Sequence, residues 1–286
     1  MVKKASPPVF FYFLLPSLIM IGIFIIYPLI YTFCMSLFYW KGRTIVSFVG
    51  ISNYLDVFGR NNIQEALVHN FLWIMIHVPL CTILGLFLAL LLRNIRGSSI
   101  IKTVIFLAMV IPPVIGGILI RFIFDVDVGV VNAVLGAIGL VKPRTWTNLP
   151  DTALFSLIFG SVWLWTGFSM TIYAAGLEAI PKEFYEAAKI DGASDTKIIW
   201  HITLPLLKPA TITVVVMNIL YALKIFDIVY VATMGGPGSA STVLALEMYI
   251  EAFYNIPPNF GAAAVIAILI GLLTLVFTIF MRRMVK

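Results

Sequence analysis

Residues 186–205 read "EAAKIDGASDTKIIWHITLP", the densest charged stretch of a chain otherwise poor in charge. Long apolar runs lie on both sides of it. Local rules give the stretch a shape. Ile180–Pro181 suits a helix start, because proline is tolerated in a first turn. Pro181 to Ile190 are good helix formers, and Asp191–Gly192 stops them, with Gly192 free to take a positive φ. Ser194 is placed to cap a second helix through "DTKIIWHITL", which Pro205 ends or kinks before Pro209 opens the next apolar run. The expectation is helix, tight turn, helix. Phe184, Ala187 and Ala188 would share one side of the first helix, with Glu183 and Glu186 in solvent. Ile198, Ile199, Trp200 and Ile202 would anchor the second.

Working outward, the 286 residues are 61% hydrophobic and only 11% charged. A soluble domain of this length needs more polar surface, so the composition points to an all-α polytopic membrane protein. Six apolar runs, near 9–37, 70–92, 103–124, 152–177, 209–232 and 260–281, are each long enough for a hydrocarbon core of about 30 Å. The first is too long for a signal h-region and lacks a small-residue cleavage site, so it reads as a retained helix. Together they make one transmembrane domain over 1–286.

Orientation follows from the cations. With the N-terminus inside, the cytoplasmic side receives Lys3, Lys4, Arg93, Arg96, Lys102, Lys182, Lys189, Lys197, Lys208, Arg282, Arg283 and Lys286. The outer side receives Lys41, Arg43, Arg60, Arg121, Lys142 and Arg144. That is 12 against 6, which puts both termini and the 178–208 connector in the cytoplasm. The net charge of +6 is thereby explained by membrane orientation rather than by nucleic acid.

Little else suggests chemistry. Cys34 and Cys81 sit in apolar runs as packing residues, and His69, His77 and His201 lack metal-ligand spacing. No G-x-x-x-x-G-K-[ST] loop is present; "GSSIIKT" (97–103) lacks the second glycine, so ATP hydrolysis by that route is excluded. "GVVNAVLGAIGL" (129–140) reads as a short interfacial helix, and "STVLALEMYIEAFY" (241–254) places Glu247 and Glu251 on one solvated helical face. "GGPG" (235–238) marks a tight turn. Pro112-Pro113 reads as a kink and Gly116-Gly117 as a close-packing site.

One pattern is far more specific. Glu186-Ala187-Ala188, three residues, Gly192, nine residues, then Ile202-x-Leu204-Pro205 matches the cytoplasmic loop motif of ABC importer permeases. "GLEAIPKEFYEAAKIDGAS", "WHITLPLLKPA", "KIFDIVYVATMGGPG" and "FVGISNYLDVF" extend the likeness over nearly the whole chain. The sequence resembles the carbohydrate-uptake permeases of the MalF/UgpA type, without the large inserted periplasmic domain of MalF. The resemblance implies a type I ABC importer permease fold with six spans in the cytoplasmic (inner) membrane of a prokaryote. It implies that Glu186, Ala187, Ala188 and Gly192 contact a separate ATPase, with Ile202, Leu204 and Pro205 positioning the loop. It further implies a second homologous permease, two copies of a cytoplasmic ATP-binding subunit and an extracytoplasmic substrate-binding protein. ATP and Mg would bind those ATPase subunits, with no cofactor on this chain.

Polar residues within spans are costly and mark candidate paths. Asn218 and Tyr221 share a helix face at i, i+3 and could present hydrogen-bond groups to a sugar. Trp165 and Phe168, in "WLWTGFSM" (163–170), would form an opposing wall. Lys224 and Asp227, also at i, i+3, read as a mutually neutralising structural pair or as residues near the outer interface. An ion- or proton-coupled secondary carrier is the alternative, with Asp227 as its one plausible intramembrane carboxylate. A membrane enzyme has no acid/base or nucleophile constellation to support it.

Overall fold

The structure, a computed structural model, describes residues 7–139 and 143–285. Of the cations used for orientation, Lys3, Lys4, Lys142 and Lys286 lie outside the described residues. The chain forms two compact units, one containing residues up to Arg60 together with Met248–Leu269, the other Asn61–Glu247 with Ile270 onward.

The first unit opens with α1 (Pro7–Ile21) and α2 (Tyr27–Ser36), joined by a wide helical turn over Gly22–Ile26. That turn directly precedes Pro28, whose ring would otherwise meet the carbonyl one turn back. A hairpin follows, β1 (Phe38–Lys41) antiparallel to β2 (Thr44–Phe48), with a register shift between Tyr39 and Trp40. The all-α reading did not anticipate it. Aromatic and β-branched residues on both sides of a Gly42 turn favour it. Asn53, in α3 (Ser52–Gly59), donates to the carbonyls of Ser36 and Phe38 at 2.8 and 3.0 Å, locking hairpin to helix. Glu251, expected on a solvated face, is buried and bonded by Arg60 at 2.7 Å. Burial works against the Arg60 charge, but Asp56 and Glu251 outweigh it and hold its pKa above the ordinary guanidinium value.

The second unit is built on α4 (Asn61–Leu91) and α8 (Ala153–Glu178). α4 begins nine residues earlier than the expected span at 70, because its amphipathic first turns cover the 239–247 segment. Asn70 there bonds the Leu244 N–H and the Ala222 carbonyl, both at 2.9 Å. Glu247, also expected in solvent, is buried between Asn62 at 2.5 Å and Thr242 at 2.6 Å. α5 (Ser98–Val110) and α6 (Pro113–Ile123) meet at 103°, the kink expected at Pro112-Pro113. Short α7 (Val130–Ala137) follows, within the stretch read as interfacial.

α8 is the hub, packed by α4, α5, α6 and the later helices. Its smallest residues set the approach distances. A Cβ on Gly167 would lie 2.7 Å from the Ile105 carbonyl, and one on Gly85 of α4 would collide with Ser169 and Met170 of α8. Gly117 in turn approaches the Ile228 backbone. Among the described residues, four helices are long and apolar enough to cross a membrane, or up to six if each of two bent pairs is one span. The last of them lies within the helix Phe260–Val285.

Candidate functional site

α9 (Lys182–Ile190) starts after Pro181 and ends as the sequence requires. Gly192 has φ +75°, its N–H bonds the Lys189 carbonyl, and the Ala193 N–H bonds the Ala188 carbonyl at 2.9 Å. This is a Schellman closure, and only glycine takes its αL position without cost. The second arm holds α10 (Asp195–Ile198), a wide turn over Ile199–Thr203 and α11 (Leu204–Leu206). Ser194 sits at the N-cap position with extended backbone, but its hydroxyl caps nothing; its carbonyl receives the Ile198 N–H. Pro205 does not end the arm. The wide turn just before it absorbs the proline, and the 64° bend falls at Leu207, before α12 (Lys208–Leu223).

The faces differ from the expectation in two places. Phe184, Ala187 and Ala188 share a helix side at i, i+3 and i+4, but only Ala188 of them is buried; Phe184 and Ala187 are exposed beside Glu186. Trp200 is 65% exposed and anchors nothing; the arm is held by Ile198, Thr203 and Leu207, with Ile202 and Leu204 half-buried. Leu207 enters a core with Leu92, Met170, Tyr173, Leu177, Ile180 and Val214. The loop is thus rooted where α4, α8 and α12 converge. Its Glu186–Ala187 edge stays free.

Deeper in the unit, α12 meets α4 and α8 through a polar knot. His77 Nδ1 lies 2.8 Å from Ser161 Oγ, and Nε2 lies 3.1 Å from Asn218 Oδ1. Nε2–H is placed to donate to the amide oxygen, while Nδ1 faces the Ser161 hydroxyl, which also lies 2.6 Å from the Ile158 carbonyl. Asn218 Nδ2 donates to Ser169 Oγ at 3.2 Å and to the Val214 carbonyl at 2.8 Å. All four side chains are buried. Both Asn218 and Tyr221 meet His77, as their shared face predicts; the Tyr221 ring packs against the imidazole at 5.1 Å.

Tyr221 also meets Trp165 at 4.3 Å between centroids, and Trp165 meets Phe168 edge-on at 5.6 Å. Trp165 and Tyr221 border a cavity of about 350 Å³, together with Met217, Leu220, Lys224, Phe226 and Asp227. That volume is at the lower end of small-molecule sites. Asn218 lies behind this wall, its amide engaged within the protein. Lys224 and Asp227 do not form the expected ion pair, because the helix breaks between them and Asp227 starts α13 (Asp227–Ala232). A wider groove of about 880 Å³ between α4, α5 and α8 is almost wholly apolar, and its one hydroxyl, Thr166, is bonded to the Val162 carbonyl.

His77 escaped the sequence reading. Its sequence signal was a histidine inside an apolar run, four residues from Cys81.

The chain is similar to known proteins over most of its length. The profile of the family described as "Binding-protein-dependent transport system inner membrane component" matches residues 82–286. A probable ABC transporter permease protein of Pyrococcus horikoshii is 48% identical over 93% of this chain and 94% of its own length. The trehalose/maltose transport system permease protein MalF of Thermococcus litoralis is 36% identical over 93% of this chain and 90% of its own. Among solved structures, a chain of the bacterial alginate ABC transporter in complex with alginate pentasaccharide-bound periplasmic protein has a TM-score of 0.82 at 21% identity. The match covers 97% of this chain and 94% of that one.

Proposed function

The chain belongs to the binding-protein-dependent transport system inner membrane components, and from that premise we propose that it forms half of the translocation path of an ATP-driven carbohydrate importer. In this reading it is an ABC importer permease of the sugar type in a prokaryotic inner membrane, with both termini and the 178–208 loop cytoplasmic. A second homologous permease completes the path, and an extracytoplasmic binding protein delivers substrate. Two ATPase subunits bind ATP and Mg, and this chain contributes no hydrolytic site.

One observation carries the proposal: the Glu186–Ala187 edge is exposed and ends in the Gly192 turn, on a loop rooted at the convergence of three long helices. Such an edge can receive a partner surface and pass its displacement inward. Glu186, Ala187 and Gly192 take the contact, with Ala188 packing the helix inward. Ile202, Leu204 and Pro205 position the second arm. Trp165, Tyr221 and Phe168 are assigned to the substrate path, since aromatic faces suit sugar C–H surfaces, with Asn218 as the polar group behind them.

Glu186→Lys combined with Gly192→Pro is expected to abolish uptake while the chain still inserts. Normal uptake in that double variant, with the ATPase still attached, would sink the coupling assignment.

A further inference from the structure

Of the nine residues of α9, only Tyr185 and Ala188 are not exposed. Ala188 has no reach. Tyr185 does: the Arg93 guanidinium lies over its ring at 4.4 Å, and Thr203 Oγ1 is 3.4 Å from its hydroxyl. Arg93 stands just past the end of α4, and Thr203 lies on the second arm of the loop. The ring also packs against the Leu92–Tyr173–Leu207 core. One side chain therefore touches all the parts that a moving loop must address.

The surroundings sharpen this. Behind α9 is a hollow of about 580 Å³, bordered by Arg93, Tyr185, Glu186, Lys189, Asp195 and Thr203. Arg93 forms no ion pair among the described residues, although Glu186 and Asp195 border the same hollow. Its contact is with the aromatic face, a planar cation on a π surface.

We propose that the Arg93–Tyr185 stack is the joint that passes movement of the loop into α4, with Tyr185 as a positioning residue for coupling. The inference rests on the reading of 178–208 as the ATPase-coupling loop. A push on Glu186 moves its neighbour Tyr185, and the stacked guanidinium carries that push to the helix that bears His77.

The test uses the full importer, purified with its partners and reconstituted in vesicles, and reads substrate moved per ATP hydrolysed. Tyr185→Leu and Arg93→Ala should each lower that ratio at least about fivefold, the lower end of a typical coupling between sites. Tyr185→Phe, which keeps the ring, should hold it near the original. The Leu/Ala double variant should be no worse than either single one. A merely structural role would lower yield and both rates together and leave the ratio unchanged, and that outcome overturns the proposal. Arg93 is exposed, so Arg93→Gln decides alone if Tyr185→Leu does not assemble. Failure of the underlying loop reading looks different: the unaltered chain purifies without an ATPase, or Glu186→Lys with Gly192→Pro transports normally.

Discussion

His77 shows how much one residue depends on partners that are remote in sequence. In the chain it is one of three scattered histidines; in the fold it joins Ser161 and Asn218, from two other long helices, and stacks on Tyr221. Replacing it by leucine leaves the Asn218 oxygen buried without a donor, which costs about 1–3 kcal/mol. Thermal unfolding of the detergent-solubilised protein should therefore shift down for His77→Leu and less for His77→Gln, which retains a donor. A leucine variant as stable as the original would mean that the knot contributes nothing. Gly192 is the opposite case. Its φ of +75° follows from a purely local rule, and a Cβ at this position would meet no neighbour within 4 Å.

Among the elements, α8 is set by close approach. Gly85 brings α4 onto it and Gly167 brings α5 onto it, in each case against backbone atoms that cannot rotate away. Gly85→Val is expected to force α4 and α8 apart and to destabilise the bundle by about 1–3 kcal/mol or more. The check is a lower unfolding temperature with cross-linking between cysteines placed on the two helices slowed. The prolines tell a related story. Pro205 read as an end or a kink, yet it, like Pro28, is preceded by a wide turn that lets the helix continue. Sharp bends fall instead at Leu207 and at Ile111–Pro112.

For the whole molecule, the energy source separates an ATP-driven importer from an ion-coupled carrier. A carrier needs intramembrane carboxylates, and Asp227 borders the cavity without pairing to Lys224. The reconstituted assembly, supplied with its binding protein, should take up sugar only with ATP on the side of the 178–208 loop. An ionophore that collapses the proton gradient should leave the rate unchanged. Uptake driven by a proton gradient without ATP would make the carrier reading the correct one.

How far the sequence reached follows from which interactions are local. It determined the membrane class, through 61% hydrophobic residues in long runs, and the loop's helix–turn–helix, through Pro181 and Gly192. It also placed Asn218 and Tyr221 on one face, because i, i+3 spacing is a property of a single helix. The tertiary structure decided what those faces meet. The burial of Ala188 but not Ala187 depends on the helices that converge beneath α9, and a sequence that set Trp165 and Phe168 opposite Asn218 and Tyr221 did not show His77 among them. Glu247 and Glu251 looked solvated because charge alone says surface; Asn62 and Arg60, nearly two hundred residues away, are what allow them to be buried.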